Sequence, residues 1–422
     1  MQRPSKISSA ASASSTKISV VCEFQGWADL PQDLLQSIIA LLGSLLDILA
    51  FAGTCRSWRA AFSSYPSKST LCALLPPLIV RPDVRVRAPR RSKSKRDGRK
   101  LRTCKVIDPA SPNTALRCRI PQETLRKWHF VGSSYGQLIC GRHGDCLIVD
   151  VFTGARVSPP HLPLSLETEF NCGMLTAPLT SPGSHLLVCA QSSSSSIQSS
   201  LLDWPVGSDS WSELRLDNAR IHQIVDFNGQ IIAMDISFKL YNLSLAPRLG
   251  LQEIKIEWCG DMREWQLMWP WLVVCGDMLL IVDPYIRWIS FEANVNYKPY
   301  HLDLSTKPAT CVEMPNLENY ALFIGGDVRS STFSCMSPGR WCGRSNCLYY
   351  GDYSQPWSLR GVGDDVDGMW DHSDDCDLVF RRTFFPICRR SGCTQACSTL
   401  TASDRCAAAA SAATACCSIR FS

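Results

Sequence analysis

The sequence has few histidines and none of the residue patterns typical of a catalytic centre. Its seven histidines are scattered singly, and none lies in an H-E-x-x-H pattern, which would place two imidazoles on one helical face. A P-loop, a G-x-G-x-x-G turn and a G-x-S-x-G nucleophile elbow are all absent. We therefore expect neither an enzymatic activity nor a cofactor.

Metal-site spacings are missing as well. The carboxylates of residues 363–377 lack the EF-hand spacing with its terminal Glu, and we interpret them as an acidic solvated loop. Cys342 with Cys347, and Cys393 with Cys397, are spaced nearly as zinc-binding pairs, but neither is answered by a second pair. No bound metal is therefore expected.

The sequence shows neither a long hydrophobic run nor the apolar core of a secretory signal. Residues 38–53 are mostly apolar but too few to span a bilayer comfortably, and they contain Asp47. Residues 1–25 are rich in Ser and Ala; we predict a disordered tail there, with a transit peptide as the alternative. The 22 cysteines are then expected to be reduced thiols, many of them buried, and no membrane contact is expected.

The balance of residue types is that of a globular protein. Hydrophobic residues make up 45% of the 422 residues and charged residues 19%, which supports a substantial core. The length allows two or three domains.

Residues 27–62 have the pattern of three short amphipathic helices. Pro31 presets a first helical turn, Gly43 ends that helix, and Ser44 with Asp47 is a capping signature for a second. A third helix is predicted from about Thr54. The apolar residues of the first helix fall on one helical face, at Leu34, Leu35, Ile38, Leu41 and Leu42. Helices this short cannot bury so much apolar surface among themselves, so the unit is predicted to bind a partner.

Residues 81–102 form a dense basic run, with eleven Lys or Arg residues against Asp83 and Asp97. Like charges this close favour an extended solvated loop. A nuclear-import signal and a phosphate contact are the alternatives, and both would use the same side chains. The possible import signal comprises Arg90, Arg91, Lys93, Lys95, Arg96, Arg99 and Lys100. No aromatic residues alternate with these charges, so nucleic-acid binding is not expected, and the predicted location is the nucleus, the cytoplasm or both.

From about Trp128 the chain consists of short apolar runs separated by turn residues. Asn228-Gly229 is the strongest hairpin signal, and turn residues near positions 142, 228, 276 and 325 are separated by 86, 48 and 49 residues. The first gap is close to two repeats of the others. A period of roughly 40–50 residues with several strands per repeat indicates a β-propeller of five or six blades.

The resulting domain plan has five parts. A disordered tail is predicted at 1–25, the helical unit at 26–70, a linker at 71–127, the propeller at 128–380 and a Cys- and Ala-rich disordered tail at 381–422. Within the propeller, the Ser-rich residues 191–200 are predicted to be a flexible loop. The fold class is therefore a small all-α unit followed by an all-β propeller-like domain.

The helical unit resembles an F-box. Leu30-Pro31, the apolar helix, the Leu-rich second helix and Cys55-Arg56-Ser57-Trp58-Arg59 occur in the order found in plant F-box proteins. The resemblance implies docking onto a Skp-type adaptor, and through it onto a cullin–RING ubiquitin ligase. The residues expected to bind the adaptor are Leu30, Pro31, Leu34, Leu35, Ile38, Leu42, Leu46, Leu49 and Trp58.

The second half resembles the plant KIB-type β-propeller domain. Tyr135-Gly136, residues 150–155 (DVFTGA) and Pro159-Pro160 are similar to a signature of that family, with Asp-Val in place of Asn-Pro. Residues 245–249, 299–304, 321–326 and 343–350 resemble later landmarks. An N-terminal F-box before this domain is itself characteristic of the family.

Together the two resemblances imply a non-enzymatic substrate adaptor of a ubiquitin ligase. The F-box would bind the ligase and the propeller would hold a protein substrate. The alternative is a regulator that occludes a partner such as a kinase without degrading it. The sequence assigns no substrate-binding residues.

Overall fold

A computed structural model describes the chain in segments. They are residues 26–67, 70–71, 74–82, 104–111, 115–117, 128–163, 168–192, 199–217, 219–259, 267–289, 292–325, 332–350, 358–362 and 417–419. The described residues form two compact units. The first unit contains the described residues up to Leu41 together with Leu49–Tyr65. The second unit contains Leu42–Ile48 and the described residues from Pro66 onward.

The N-terminal segment contains the three predicted helices. A 3-10 turn at Trp27–Asp29 is followed by α1 (Gln32–Leu41), α2 (Leu45–Thr54) and α3 (Arg56–Ser63). The carbonyl oxygen of Pro31 accepts hydrogen bonds from the backbone N–H groups of Leu34 and Leu35, both at 3.1 Å. The Ser44 hydroxyl accepts one from the N–H of Asp47 at 3.0 Å. Both helix starts lie where Pro31 and the Ser44 cap predict them.

The second unit is built of mainly antiparallel sheets that follow one another along the chain. Blade 1 contains β4 (His129–Ser134), β5 (Gln137–Arg142), β6 (Asp145–Asp150) and β7 (Arg156–Val157). Blade 2 contains β8 (Thr168–Leu175), β9 (His185–Ser192), β10 (Ser199–Pro205) and β11 (Ser212–Leu216). Blade 3 contains β12 (Ile221–Phe227), β13 (Gln230–Asp235), β14 (Leu240–Ser244) and β15 (Gly250–Ile254).

The last two blades are less regular. Blade 4 contains β16 (Ile256–Trp258), β17 (Trp271–Cys275), β18 (Met278–Ile289), β19 (Glu292–Asp303) and β20 (Ala309–Glu313), and β16 pairs in parallel with the outer strand β20. Blade 5 contains β21 (Tyr320–Ile324), β22 (Phe333–Met336), β23 (Cys347–Tyr350) and β24 (Ser358–Gly361), with β21 parallel to β23.

These five sheets are arranged radially, as the predicted β-propeller requires. The strand at the inner edge of each blade contacts that of the next, from β4 through β8, β12 and β17 to β22. The core consists of apolar layers between successive blades. One such layer brings together Ile139 and Ile148 of blade 1 with Leu186 and Leu202 of blade 2.

A further sheet is made from strands that are distant in the sequence. We call it the closing sheet: β1 (Leu78–Pro82), β2 (Cys104–Ile107), β3 (Ala115–Arg117) and β25 (Cys417–Ile419). β1 pairs with both β2 and β25, and β25 contacts β4 of blade 1. The predicted linker therefore contains the strands β1, β2 and β3. The predicted C-terminal tail contains the strand β25, which pairs with β1. The basic run concealed the pairing, because residues 83–103 separate β1 from β2 and the Asp97-Gly98 dipeptide within them adjoins neither apolar segment.

The predicted hairpin turns agree well with the structure. Asn228 and Gly229, with φ of 53° and 76°, connect β12 to β13, and Gly276 with φ of 63° lies between β17 and β18. In blade 1 the turn predicted near Arg142 lies at His143-Gly144 and joins the second and third strands. The equivalent of Asn228-Gly229 is Tyr135-Gly136, with φ of 49° and 76°. The predicted repeat of roughly 40–50 residues agrees with the blades. The turn near Arg142, however, joins β5 to β6, whereas the turns at Asn228 and Gly276 join the first two hairpin strands of their blades.

The remaining predictions about single features have mixed outcomes. Most of the cysteines with described side chains are buried free thiols, as expected, and burial raises the pKa of Cys140 to about 12. β9 and β10 extend into the Ser-rich segment predicted to be a loop, and residues 193–198 lie outside the described residues. Residues 83–102 of the basic run and the acidic residues 363–377 also lie outside them, whereas Arg81 belongs to β1. No described helix is long and apolar enough to cross a membrane.

Candidate functional site

The helical segment exposes large apolar side chains that a folded unit would normally bury. Leu34 is 52% exposed and Leu41 81%, and they lie seven residues apart on α1, with half-buried Ile38 between them. We call these three residues the α1 stripe. They share one face because the helix repeats every 3.6 residues. This exposed apolar surface makes the α1 stripe a candidate docking surface for a protein partner.

Two more exposed apolar side chains lie outside α1. Trp27 is 78% exposed in the 3-10 turn, and Leu49 is 47% exposed in α2. Trp and Leu side chains that pass from water into an interface contribute about 25 cal/mol for each Å² of apolar surface removed from water. Trp27 therefore offers the largest single apolar surface for a partner in this segment.

The other face of α1 forms the interior of the helical segment. Leu35 and Ile39 are almost completely buried, at i and i+4. Gln32 at the start of α1 donates from Nε2 to the hydroxyl of Ser64, 3.2 Å away, just after α3. This packing fixes the rotation of α1, so that the α1 stripe faces outward.

Trp58 holds the entry of the chain in position. Its ring centroid lies 4.6 Å from that of Phe51, and its indole Nε1–H donates to the carbonyl oxygen of Trp27 at 2.8 Å. The hydroxyl of Ser57 donates to the carbonyl oxygen of Ala28. These two bonds attach the 3-10 turn to α3 and thereby place Trp27 ahead of Pro31.

The start of α2 is satisfied by a buried carboxylate of the second unit, to which residues 42–48 belong. Asp108 Oδ2 accepts hydrogen bonds from the N–H groups of Leu45 and Leu46, at 3.0 and 3.4 Å. Burial raises the pKa of Asp108, although these bonds act in the opposite direction. Together with Ser44, Asp108 satisfies the first N–H groups of α2.

The structure divides the nine residues predicted to bind the adaptor. Pro31, Leu34 and Leu49 are exposed, and Leu30 and Ile38 are half-buried. Leu35 is only 2% exposed inside the helical segment, so its contact with an adaptor stays a prediction. Trp58 is half-buried and contacts its own segment, while half-buried Leu42 and Leu46 belong to the second unit.

Two exposed residues, Trp27 and Leu41, were not among the predicted site residues. Leu41 carried a signal, since it follows Leu34 by seven residues on the predicted helix. Trp27 precedes the first helix, where periodicity gives no information. The predicted import run from Arg90 to Lys100 lies outside the described residues.

The described part of the second unit shows no cluster of metal-binding side chains. Among the residues that the structure describes, no group of three or more His, Cys, Asp or Glu side chains could hold a metal ion. A short three-helix segment with exposed apolar side chains, followed by a β-propeller, provides two separate modules, and this arrangement supports the class of adaptor proteins.

Comparison with known families agrees with this class and gives the family. Residues 27–65 match the family described as F-box-like, and residues 106–379 match the family described as KIB1-4 beta-propeller. The chain belongs to the KIB1-4 beta-propeller family and carries an F-box-like segment before the propeller. The match starts within the predicted linker, as β2 does, and ends beside the predicted boundary at residue 380. This pair of domains supports an adaptor role rather than a catalytic one.

Individual relatives are more distant. An Arabidopsis thaliana protein described as an F-box protein is 26% identical over 190 residues, which cover 42% of this chain and 44% of the relative. The chain thus matches less than half the length of that relative. A chain of an S. cerevisiae complex of a Dbp5 variant with Nup159, a Gle1 variant, IP6 and ADP is 11% identical, covers 51% of this chain and 56% of its own length, and superposes with a TM-score of 0.28. So low a score supports no structural argument.

Proposed function

We propose that this chain is the substrate-recognition subunit of a Skp–cullin–F-box ubiquitin ligase. The observation that carries the proposal is the exposed α1 stripe within the segment that matches the F-box-like family. F-box domains in general bind Skp-type adaptors, and the stripe supplies apolar anchors for such an interface. The propeller holds the protein substrate.

The mechanism is proximity. One domain binds the ligase and the other binds the target, so that ubiquitin transfer to the target becomes effectively intramolecular. No chemical step is required of this chain. The amount of target modified depends on the affinity of each domain and on the distance between the two bound partners.

Co-precipitation with a Skp-type adaptor tests the first half of the proposal. Leu34→Ala with Leu41→Ala removes the two most exposed anchors of the α1 stripe without touching Leu35 or Ile39. Anchors of this kind contribute about 2 kcal/mol or more each. We therefore expect the double variant to weaken binding by roughly ten- to a thousand-fold, since 1.4 kcal/mol is a factor of ten.

A matched control is available in the propeller. Val312 and Met336 are also exposed apolar side chains, and Val312→Ala with Met336→Ala should leave adaptor binding unchanged. If the wild-type chain captures no Skp-type adaptor, the proposal fails. A propeller-bound partner whose level does not rise when the proteasome is blocked would then favour the occluding regulator instead.

A further inference from the structure

Unpaired polar side chains are concentrated at the start of β12, the inner strand of blade 3. Within the part of the chain that the structure describes, six buried side-chain nitrogen or oxygen atoms have no hydrogen-bond partner. Three of the six are Nδ2 of Asn171, Nε of Arg220 and Nδ1 of His222. Arg220 and His222 flank Ile221 in the sequence, and we call them the β12 pair. The carbonyl oxygen of Ile221 accepts from the thiol of Cys172 at 3.8 Å, and Asn171 directly precedes Cys172.

The neighbouring residue shows that the fold can satisfy a buried polar side chain at this place. Gln223 donates from Nε2 to the carbonyl oxygen of Pro270 at 3.3 Å, and its Oε1 accepts from the N–H of Leu272 at 2.7 Å. A buried polar atom without a partner costs free energy, and most such atoms in folded proteins are paired. The unpaired atoms of the β12 pair therefore indicate groups that a ligand would satisfy.

Both members of the β12 pair lie on the blade 4 side of this strand. Ile221 packs in the layer between blades 2 and 3. The carbonyl oxygen of Arg220 accepts from the N–H of Ile236 at 3.0 Å, which extends the strand pairing to Arg220 and places it on the opposite side from Ile221. A bulge follows Ile221, and the ring centroid of His222 lies 6.4 Å from that of Trp269, just before blade 4 begins. Arg220 and Trp269 are half-buried and reach the surface, whereas His222 is only 8% exposed.

The β12 pair carries a single positive charge. Burial lowers the pKa of His222 to about 4, so its ring is neutral at pH 7. Arg220 remains charged at any ordinary pH. A neutral imidazole can still donate a hydrogen bond from Nδ1 when it carries its proton there. The pair therefore combines one cation with one neutral donor.

The two nearest carboxyl groups are already bonded to other partners. Asp235 pairs with Ile221 in the strand register and so lies on the opposite side from Arg220. Its oxygens accept hydrogen bonds from the N–H groups of Ser237 and Lys239 and from the hydroxyl of Tyr241. Asp283 accepts from the N–H groups of Met268 and Trp269. Nε of Arg220 thus stays unpaired beside them.

We infer that the β12 pair binds the carboxylate group of a small organic acid, whose apolar part lies against Trp269. The guanidinium of Arg220 donates to the carboxylate, a geometry in which two parallel hydrogen bonds form. Nδ1 of His222 donates a further one. A monoanion matches the single charge of the pair better than a dianion such as phosphate does. The inference goes beyond the proposed function and does not depend on it.

Isothermal titration calorimetry of the purified full-length chain with benzoate at pH 7 tests the inference. Benzamide has nearly the same shape without the negative charge. We expect benzoate to bind at least about ten-fold more tightly than benzamide, because hydrogen bonds from Arg to an ionised carboxylate are stronger than those to a neutral amide. Arg220→Met removes the donors and the charge, so it should weaken benzoate binding by roughly ten-fold or more. Inorganic phosphate should bind more weakly than benzoate.

Arg215→Met is the matched control, since the Arg215 side chain is 77% exposed on β11, the outer strand of blade 2; it should leave benzoate binding unchanged. The melting temperature without ligand gives a second readout. Arg220→Met removes an unpaired buried donor, so it should not lower that temperature, whereas loss of a purely structural arginine would. The inference is overturned if benzoate does not bind, if benzamide binds equally well, if Arg220→Met binds benzoate like wild type, or if that variant melts well below wild type.

Discussion

At the scale of single residues, Trp58 connects the third helix to the start of the helical segment. Its ring packs on Phe51 and its nitrogen donates to the carbonyl oxygen of Trp27. One side chain thus contributes both an apolar contact and a hydrogen bond, and the two contributions can be separated by substitution.

Trp58→Phe keeps most of the ring contact and removes the hydrogen bond, so we expect it to cost about 1 kcal/mol. Trp58→Ala removes both, and we expect about 2–4 kcal/mol, near the lower part of the range for buried aromatic residues. Hydrogen exchange of the α3 amides in the full chain measures both costs. Equal protection in Trp58→Ala and wild type would show that Trp58 does not hold this segment together.

A second residue, Asp283, gives the propeller a dependence on pH. The carboxylate is 4% exposed, and its Oδ1 accepts hydrogen bonds from the N–H groups of Met268 and Trp269, both at 3.0 Å. Burial outweighs these bonds and raises the pKa of Asp283 to about 7. At a pH between 3.8 and about 7, Asp283 is therefore protonated in the folded chain and ionised in the unfolded chain.

A carboxyl whose folded pKa lies above its unfolded value stabilises the fold most below the unfolded pKa of 3.8. That stability is lost as the pH rises through about 7, by as much as about 1.4 kcal/mol for each pH unit. Asp283→Asn cannot ionise and should remove this slope. Denaturant unfolding of both proteins between pH 4 and 8 measures the difference, and parallel curves would contradict the assignment.

The residue scale also shows what the sequence could not decide. The apolar positions Leu34, Leu35, Ile38, Leu41 and Leu42 cover a broad arc of the helix, and their spacing does not say which part faces inward. The contacts of α1 with α3 bury Leu35 and expose Leu34. Such contacts join residues about thirty positions apart, which periodicity within one helix cannot report.

At the scale of elements, the hairpins of the propeller depend on residues that tolerate positive φ. Asn228 and Gly229 adopt φ of 53° and 76° between β12 and β13. This geometry matches the twist of the two strands and explains why the dipeptide was readable from the sequence. Between β1 and β2 the dipeptide Asp97-Gly98 stands several residues away from either strand, so their pairing was not predicted.

Gly229→Ala isolates the backbone effect, because an added Cβ would meet nothing within 4 Å. We expect it to cost about 1 kcal/mol, since an alanine at positive φ is strained. Gly53→Ala, equally open but within α2, should instead stabilise by about 0.5–1 kcal/mol. Hydrogen exchange of β12, β13 and α2 measures the two changes, and the same sign for both would contradict this account.

The basic run is an element whose role we propose from its charges alone. If it directs nuclear import, changing Arg90, Arg91, Lys93, Lys95 and Arg96 together to Ala should move a fluorescently tagged chain toward the cytoplasm. The loss of five positive charges is the reason for this expectation, because import receptors bind clustered Lys and Arg. An unchanged nuclear fraction would favour the solvated loop.

At the scale of the whole molecule, the closing sheet joins two segments that are far apart in the sequence. Leu78 pairs with Ile419, and β25 also contacts β4 of blade 1. The composition after residue 380 predicted disorder, and the pairing of residues 417–419 was invisible because three residues are too few to show alternation. The five blades were predictable because each contains its own hairpins.

Deletion of residues 417–422 should therefore lower the melting temperature by several degrees, since β1 loses one partner strand and blade 1 loses a neighbour. Deletion of residues 420–422 alone keeps β25 and should leave the melting temperature unchanged. Differential scanning calorimetry of the two truncated chains and wild type makes the comparison. Equal melting in all three would support a disordered tail throughout.

The closing sheet can be completed only at the end of translation. About 330 residues separate β1 from β25, and ribosomes add roughly 5–20 residues each second. One edge of β1 therefore stays unpaired for roughly 20 to 70 seconds until β25 has been synthesised. During that time the blades encoded between β1 and β25 can form from strands that are close in the sequence. During that interval the nascent chain has a helical segment that can already fold, ahead of a ring that is still open. A chaperone that covers β1 during translation would protect the chain at its most aggregation-prone stage.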